Sequence, residues 1–352
     1  MKQCSPSTLS GQTLKVAAKL LRRITLIMFF EDIITLDIPH TKSMLKALLE
    51  ERGVRVKKQW GQNFLIDQNL LQFIVKAAEL GSNDVVLEIG TGTGSLTRLL
   101  TQNARHVFAV ELDRRLFEIM KETLKDYNNV TTFNKDILKS KHHIHPLIVE
   151  SITDYIQSAP SPENLSVKVV SNLPYYISTP VIIDLLQEVL PIKTMIVMLQ
   201  KDTTDRMKAI PGTRNYGVLS IMAKLFADVK VLKKLPPDVF WPVPLVDSAI
   251  VKMTINRHRY ADRVRDYQDF QNVIHAIYVS RRKTLLNSLL SFCSGLGINN
   301  KSRNIRNDLI TIVERTDIRP ESRGEELDLE KLIDLSNGIT EYLNTWRQSV
   351  QR

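Results

Sequence analysis

Residues 85–97 read Val-Val-Leu-Glu-Ile-Gly-Thr-Gly-Thr-Gly-Ser-Leu-Thr, and this stretch decides the fold. Its apolar start predicts a buried strand, its three glycines a loop, and Ser95 the cap of a following helix. Glycine lets the backbone come close to a ligand. Twenty-one residues beyond Gly90, a second apolar run from His106 to Val110 ends in Glu111. An acidic residue at that spacing is placed to bind the ribose hydroxyls of an adenosine ligand. A third strand, Val130 to Phe133, ends near Asp136, which can accept a hydrogen bond from an adenine amine. Each acid taken singly reads as a surface carboxylate. Three polar strand-end sites in register, at Gly90, Glu111 and Asp136, are much harder to explain that way.

The glycines are spaced Gly-x-Gly-x-Gly, not the Gly-x-Gly-x-x-Gly that seats a pyrophosphate on a helix N-terminus. The spacing points to an adenosine without phosphates, such as S-adenosylmethionine, and away from a nicotinamide dehydrogenase. Downstream, strand patterns at 167–170 and 194–199 alternate with helical ones, which predicts a parallel sheet with helices on both faces. Runs at 229–232 and 248–255 are expected to add an antiparallel edge. Ligands of such sheets bind beyond the carboxyl ends of the strands, where all these motifs fall.

At the end of the 167–170 run stands Asn172-Leu-Pro-Tyr175. Pro174 stiffens the loop. Asn172 offers an amide oxygen, Leu173 a backbone carbonyl and Tyr175 an aromatic face. A planar base with an exocyclic amine needs acceptors for its N–H groups and a ring to stack on. The competing reading, an ordinary Asn-Pro turn, has equal standing for this motif alone.

The chain of 352 residues has room for more than one domain and carries a net charge of +10. Residues 252–306 hold eleven Lys/Arg against three Asp/Glu, and residues 1–30 hold five Lys/Arg and no acid. That unevenness suggests a polyanion partner, with plain solubility as the alternative. Cys4 and Cys293 are too few and too distant for a disulfide framework, which suggests a reducing compartment. The longest apolar run, Ile24 to Phe30, falls far short of the ~20 residues that cross a bilayer. Residues 1–30 loosely resemble an organellar transit peptide, or else precede a true start at Met28 or Met44. Residues 43–80 read as helices around a basic hinge, 55–65. The stretch 139–165, with Ser158-Ala-Pro-Ser-Pro162 and His142, His143 and His145, reads as an exposed insertion, and no metal site is expected there. From 262 to 346 the pattern is helical, with apolar faces at Phe270, Val273, Ile274, Ile277 and at Leu285, Leu286, Leu289, Leu290. Arg281-Arg282-Lys283 between them reads as a phosphate-contacting cluster or a solvated helix end.

The ordered set of motifs resembles the ribosomal small-subunit RNA (16S rRNA) adenine N6,N6-dimethyltransferases from about Val56 to Tyr342. It comprises Gly61-Gln-Asn-Phe-Leu65, Leu87-Glu-Ile-Gly90, Glu111, Asn172-Leu-Pro-Tyr175, Gln200-Lys-Asp, Pro211 to Gly217, Pro236 to Ser248, Arg281 to Leu285, Asp317 to Arg323, and Glu326-Leu327. Thr91 departs from the family's usual proline, the 139–165 segment is longer than usual, and the first forty residues have no counterpart. The resemblance implies an α/β, Rossmann-like methyltransferase sheet with a smaller all-α C-terminal domain. The expected division is an extension over 1–42, a catalytic domain over 43–257 and a basic RNA-binding domain over 258–352. It implies S-adenosylmethionine held by Asn63, Leu65, Gly90, Glu111, Asp136 and Asn172, and a target adenine held by Asn172, Leu173, Tyr175 and Phe240. Arg281, Arg282 and Lys283 are expected on RNA phosphates. The implied substrate is two adjacent adenosines in the 3′-terminal hairpin of small-subunit rRNA within a pre-ribosomal particle. A cytoplasmic monomer is expected, or an organellar one if residues 1–30 are an address. The alternatives are a large-subunit rRNA adenine methyltransferase, which residues 236–248 and 281–285 argue against, and an assembly or transcription factor that kept the fold.

Overall fold

The structure, a computed structural model, describes residues 41–57, 61–140, 143–187, 190–298 and 304–350. The transit-peptide and start-site expectations for residues 1–30, together with Cys4, His142 and residues 58–60 of the basic hinge, lie outside them. The elements are α1 (Lys42–Glu51), β1 (Phe64–Leu65), α2 (Gln68–Ala78), β2 (Asp84–Ile89), α3 (Ser95–Thr101), β3 (His106–Glu111), α4 (Arg114–Thr123) and β4 (Val130–Asn134). Next come β5 (Leu138–Ser140), β6 (His143–Ile144), α5 (Pro146–Gln157), β7 (Ser166–Asn172), α6 (Ser178–Gln187), β8 (Ile192–Gln200) and α7 (Lys201–Met207). The chain continues through α8 (Val218–Phe226), β9 (Ala227–Leu235), β10 (Phe240–Trp241) and β11 (Ser248–Ile255) to the helices α9 (Tyr267–Val279), α10 (Leu285–Gly295), α11 (Ile305–Arg315) and α12 (Leu329–Val350).

Seven strands form one sheet in the order β4-β3-β2-β7-β8-β11-β9. The pairs from β4 to β8 are parallel, and β11 runs antiparallel to both β8 and β9. Of the two runs expected to add an antiparallel edge, only β9 lies at the edge, because β11 inserts between it and β8. Strand order reverses between β2 and β7, and the crevice at such a reversal is where ligands sit.

Alternation along the strands explains why both sheet faces are covered. In β2, Val85, Leu87 and Ile89 join one core while Val86 joins the other. In β3, Phe108 and Val110 divide from Val107 in the same way. The first core runs on through α8 into α9–α12, where Phe270, Val273, Ile274 and Ile277 of α9 are buried with Leu285, Leu286 and Leu289 of α10. The second lies under α2, whose Leu70, Leu71 and Ile74 are buried. Asp67 caps α2 by accepting from the amides of Asn69 and Leu70 at 2.8 and 3.1 Å.

Two local expectations fail. Ser95 is the first residue of α3 and makes no cap; Gly94 takes the cap position with φ 86°, a left-handed conformation suited to glycine. The 139–165 stretch is no exposed insertion. It carries the β5–β6 hairpin and α5, whose Ile148, Ile152 and Ile156 are buried in the first core. That helix is the crossover from β4 to β7. His143 is exposed and His145 precedes α5. Among the described residues, no cluster of His, Cys, Asp or Glu could hold a metal ion, and no helix is long and apolar enough to cross a membrane.

Candidate methyltransferase site

The carboxyl ends of β2, β3 and β7 open into one cleft, lined among others by Glu88, Gly90, Glu111, Asp136, Asn172, Pro174 and Tyr176. A short ribbon roofs it. β1 pairs antiparallel with β10, setting Phe64 against Trp241 and Leu65 against Phe240. The Phe64 and Trp241 rings stack with centroids 6.4 Å apart. The segment leading into this ribbon is pinned by Lys57, whose Nζ lies 2.8 Å from the Asp113 carboxylate. Asn63 and Leu65 also line the cleft.

Gly90 has φ +76°, and a Cβ there would stand 2.8 Å from Cγ of Pro174. The glycine loop and the Asn172–Tyr175 loop thus touch at a point where only a hydrogen fits. Thr91, the departure from the family's proline, donates from its hydroxyl to Sδ of Met120 at 2.9 Å. That contact ties the glycine loop to α4.

Glu111 is 5% exposed and spans two backbone donors. Its Oε2 accepts from the Gly92 amide and its Oε1 from the Asp113 amide, each at 2.8 Å. Burial pushes its carboxyl up to about 7, and the two amides oppose that rise. Glu88, on β2, is 2% exposed, and its Oε2 has no hydrogen-bond partner among the described residues. Burial first, and less strongly the nearby Glu111 carboxyl, push Glu88 up to about 8, while the neighbouring Thr97 hydroxyl opposes that rise. Glu88 stands in the Leu87–Gly90 motif but was given no role, because it sits among apolar residues of β2 rather than at a strand end.

At the next strand end, Asp136 Oδ1 accepts from the Leu138 amide at 2.9 Å and remains exposed. Asn172 Nδ2 donates to the Asn63 carbonyl at 2.9 Å, joining the roof to the end of β7. This bond orients the amide and leaves its oxygen as an acceptor. The residue types fit an adenosyl sulfonium. Gly90 and Gly92 form a floor where a side chain would intrude, Glu111 and Asp136 can accept from hydroxyl and amine, and Glu88, once ionised, suits a cation.

The adenine-holding residues are less uniformly placed. Leu173 is 1% exposed and fixed in the core. Tyr175 is half-buried, with Oη 2.7 Å from Oγ of Ser248 at the start of β11. Phe240 is 1% exposed and belongs to the second core, and neither it nor Tyr175 is among the residues lining the cleft. Tyr176, absent from the sequence expectations, does stand there and is 47% exposed.

The basic cluster divides. Arg281 donates to the carbonyls of Arg214 and Tyr216, with Nε 3.7 Å from the Glu325 carboxylate. Its guanidinium binds protein. Arg282 and Lys283 are exposed, with Lys283 Nζ 3.3 Å from Oγ of Ser291. Much of the neighbouring basic surplus is also matched in space: Arg259 pairs with Asp228, Arg263 with Glu330 and Asp334, and Arg265 with Glu341.

Residues 53–333 match the profile of the family described as ribosomal RNA adenine dimethylase. The chain belongs to that family. It is 41% identical over 297 residues to the ribosomal RNA small subunit methyltransferase A of Streptococcus sanguinis, covering 84% of this chain and 96% of the relative. It is 40% identical over 299 residues to the protein of the same name from Bacillus mycoides, covering 85% and 96%. Among solved structures, a dimethyladenosine transferase from Plasmodium falciparum superposes with a TM-score of 0.60 at 26% identity, covering 79% of this chain and 96% of that one. The 23S rRNA methyltransferase ErmE superposes with a TM-score of 0.50 at 22% identity, covering 79% and 99%, a likeness of fold alone. Membership brings with it the Rossmann-like sheet and S-adenosylmethionine dependence.

Proposed function

We propose that the protein dimethylates N6 of two adjacent adenosines in the loop of the 3′-terminal hairpin of small-subunit rRNA, during ribosome biogenesis. The observation that carries this reading is the contact between Gly90 and Pro174, which sets an amine-binding loop directly against an adenosine-binding one. When bound, S-adenosylmethionine supplies an already activated methyl group. The protein residues therefore have to bind, orient and exclude water. Glu111 accepts from ribose hydroxyls and Asp136 from the cofactor's adenine amine, while Asn63 and Leu65 close the roof.

Adenine N6 is a poor nucleophile because its lone pair is delocalised into the ring. The Asn172 amide oxygen and the Leu173 carbonyl accept its N–H groups and hold the nitrogen in line with the methyl group. Orientation of this kind is worth on the order of 7–11 kcal/mol. The bond from Asn172 Nδ2 to Asn63 supports that role, since it leaves the amide oxygen free to face the base. Tyr175 stacks on the base, and Phe240 joins it once its ring leaves the core; base–aromatic stacking contributes about 1–3 kcal/mol.

The helices after residue 257 form the RNA-binding domain in this reading, with Arg282 and Lys283 on phosphates and Arg281 bracing them. The enzyme acts as a monomer on a pre-ribosomal particle, wherever that rRNA is made: the cytoplasm, or an organelle if residues 1–30 are an address. Single-turnover methylation of unmethylated small-subunit particles at saturating S-adenosylmethionine tests the reading. Asn172→Ala is expected to lower the rate about 10²–10³-fold, the usual effect of removing one positioned polar group. A rate within a few-fold of wild type overturns the assignment.

A further inference from the structure

The connection from β9 to β11 leaves the core after Trp241 and returns at Ser248. Between them Val243 is 55%, Leu245 101% and Val246 42% exposed, so the tip turns an apolar crest outward. Pro242 and Pro244 alternate with these residues. Proline fixes φ, so the crest is stiff and gives up little freedom when covered. One exposed leucine needs no explanation. Three large apolar side chains within four residues, on a proline-stiffened tip, do.

The roots of this loop lie on the base site. The Asp247 carbonyl accepts from the amide of Lys201, just past the end of β8, at 2.9 Å. Ser248 holds the Tyr175 hydroxyl at 2.7 Å. Leu245 is three residues from Ser248, which places their Cα atoms within about 11 Å of each other. On the neighbouring strand β9, Lys234 registers with Ala249 and is exposed, while Lys233 Nζ lies 5.4 Å over the Phe73 ring. An apolar crest with an exposed lysine on the adjoining strand suits a partner that is apolar in its stacked interior and anionic along its edge. Nucleic acid has that character.

We propose that Leu245, backed by Val243 and Val246, is a wedge that fills the gap in the rRNA stack when an adenosine is drawn into the site, with Lys234 on a flanking phosphate. The inference rests on the methyl-transfer reading above and states how that site obtains its base. Extracting a base costs its stacking, and an inserted apolar side chain restores part of it.

Leu245 is fully exposed, so Leu245→Ala removes no packing and leaves the fold intact. Turnover is measured on unmethylated small-subunit particles. Base extrusion is measured on particles carrying 2-aminopurine at a target position, whose fluorescence rises when the base unstacks. For Leu245→Ala, kcat is expected to fall about ten- to a hundredfold, the worth of burying one leucine side chain. The 2-aminopurine signal should fall with it, while particle KM and cofactor affinity stay within a few-fold. Leu245→Phe should retain most of both signals. A Leu245→Ala enzyme with wild-type turnover and a full fluorescence rise overturns the wedge alone. A raised KM with normal fluorescence shows that the crest docks on protein, and also overturns it. If wild type neither methylates these particles nor brightens the probe, the proposed reaction itself is lost.

Discussion

The Tyr175 and Ser248 hydroxyls stand 2.7 Å apart and join the loop after β7 to the first residue of β11. The chain separation is 73 residues, yet β7 and β11 lie on either side of β8 in the sheet. One hydrogen bond therefore fixes the tilt of the aromatic ring relative to the strand whose preceding loop carries Leu245.

Tyr175→Phe and Ser248→Ala should each cost about 1 kcal/mol of stability, the usual net worth of such a bond. Because Tyr175 keeps its ring in the Phe variant, cofactor affinity should not change and turnover should fall only several-fold. A double-mutant cycle in thermal unfolding checks the pairing. Strictly additive losses would show that the two hydroxyls act independently.

The buried acids make both stability and cofactor binding depend on pH. Glu111 and Glu88 are raised to about 7 and about 8 from an ordinary 4.5. The free folded protein thus holds protons that the unfolded chain has released. Their contribution to stability is fully present below 4.5 and is lost as pH rises through about 7 and then 8. Melting temperature of the free protein should fall over that window, and less so in Glu88→Gln.

Cofactor binding runs the opposite way, because hydroxyls and a cation prefer ionised acceptors. Affinity for S-adenosylmethionine should strengthen from pH 6 to pH 8, with proton release that calorimetry in two buffers detects. Glu111→Ala should weaken binding about ten- to a hundredfold, since a hydrogen bond to a charged group contributes roughly 1.5–3 kcal/mol. A flat pH profile would remove both carboxylates from the binding equilibrium.

Gly90→Ala should disable the site from both sides. The new Cβ meets Pro174 at 2.8 Å, in a backbone conformation with φ +76°. The left-handed conformation alone costs an L-residue roughly 1–2 kcal/mol. Melting and calorimetry should show a destabilised protein that has lost cofactor affinity as well as turnover.

Arg281 and its two neighbours should separate experimentally. Arg281→Ala breaks contacts to Arg214, Tyr216 and Glu325, so it should lower stability and leave the salt dependence of RNA binding unchanged. Arg282→Ala with Lys283→Ala should flatten the log–log salt slope by about 0.9 for each lost contact to duplex phosphate. If Arg281→Ala flattens the slope while the melting temperature holds, the side chain swings out to RNA.

What could be read from the sequence follows a physical division. The placement of Gly90, Glu111 and Asn172 at strand ends around one cleft was legible because strand periodicity locates each of them. The sheet was legible for the same reason, down to the antiparallel pairing of β11. Helix α5 was missed although Ile148, Ile152 and Ile156 recur at helical spacing, because histidines crowd its start and serines and prolines its end. Arg281 was misread because its partners are 44 to 67 residues away in the chain. The burial of Phe240 was hidden likewise, since its strand partner is Leu65 at the other end of the sheet domain. Net charge along the sequence overstated the basic surface, because the acids of α12 pair with Arg263 and Arg265 only in three dimensions.

The β1–β10 ribbon sets an order of events during synthesis. Asn63 and Leu65 are translated early, but the strand that holds Leu65 over the cleft is Phe240–Trp241. A nascent chain that has reached Asn172 can already tie Asn63 to the end of β7, but the strand Phe64–Leu65 still lacks its ladder partner. The β1–β10 ladder therefore forms only after residue 241 has cleared the exit tunnel. A ribosome stalled short of that point would carry a chain with every residue proposed to hold the cofactor already made and this ribbon still unpaired.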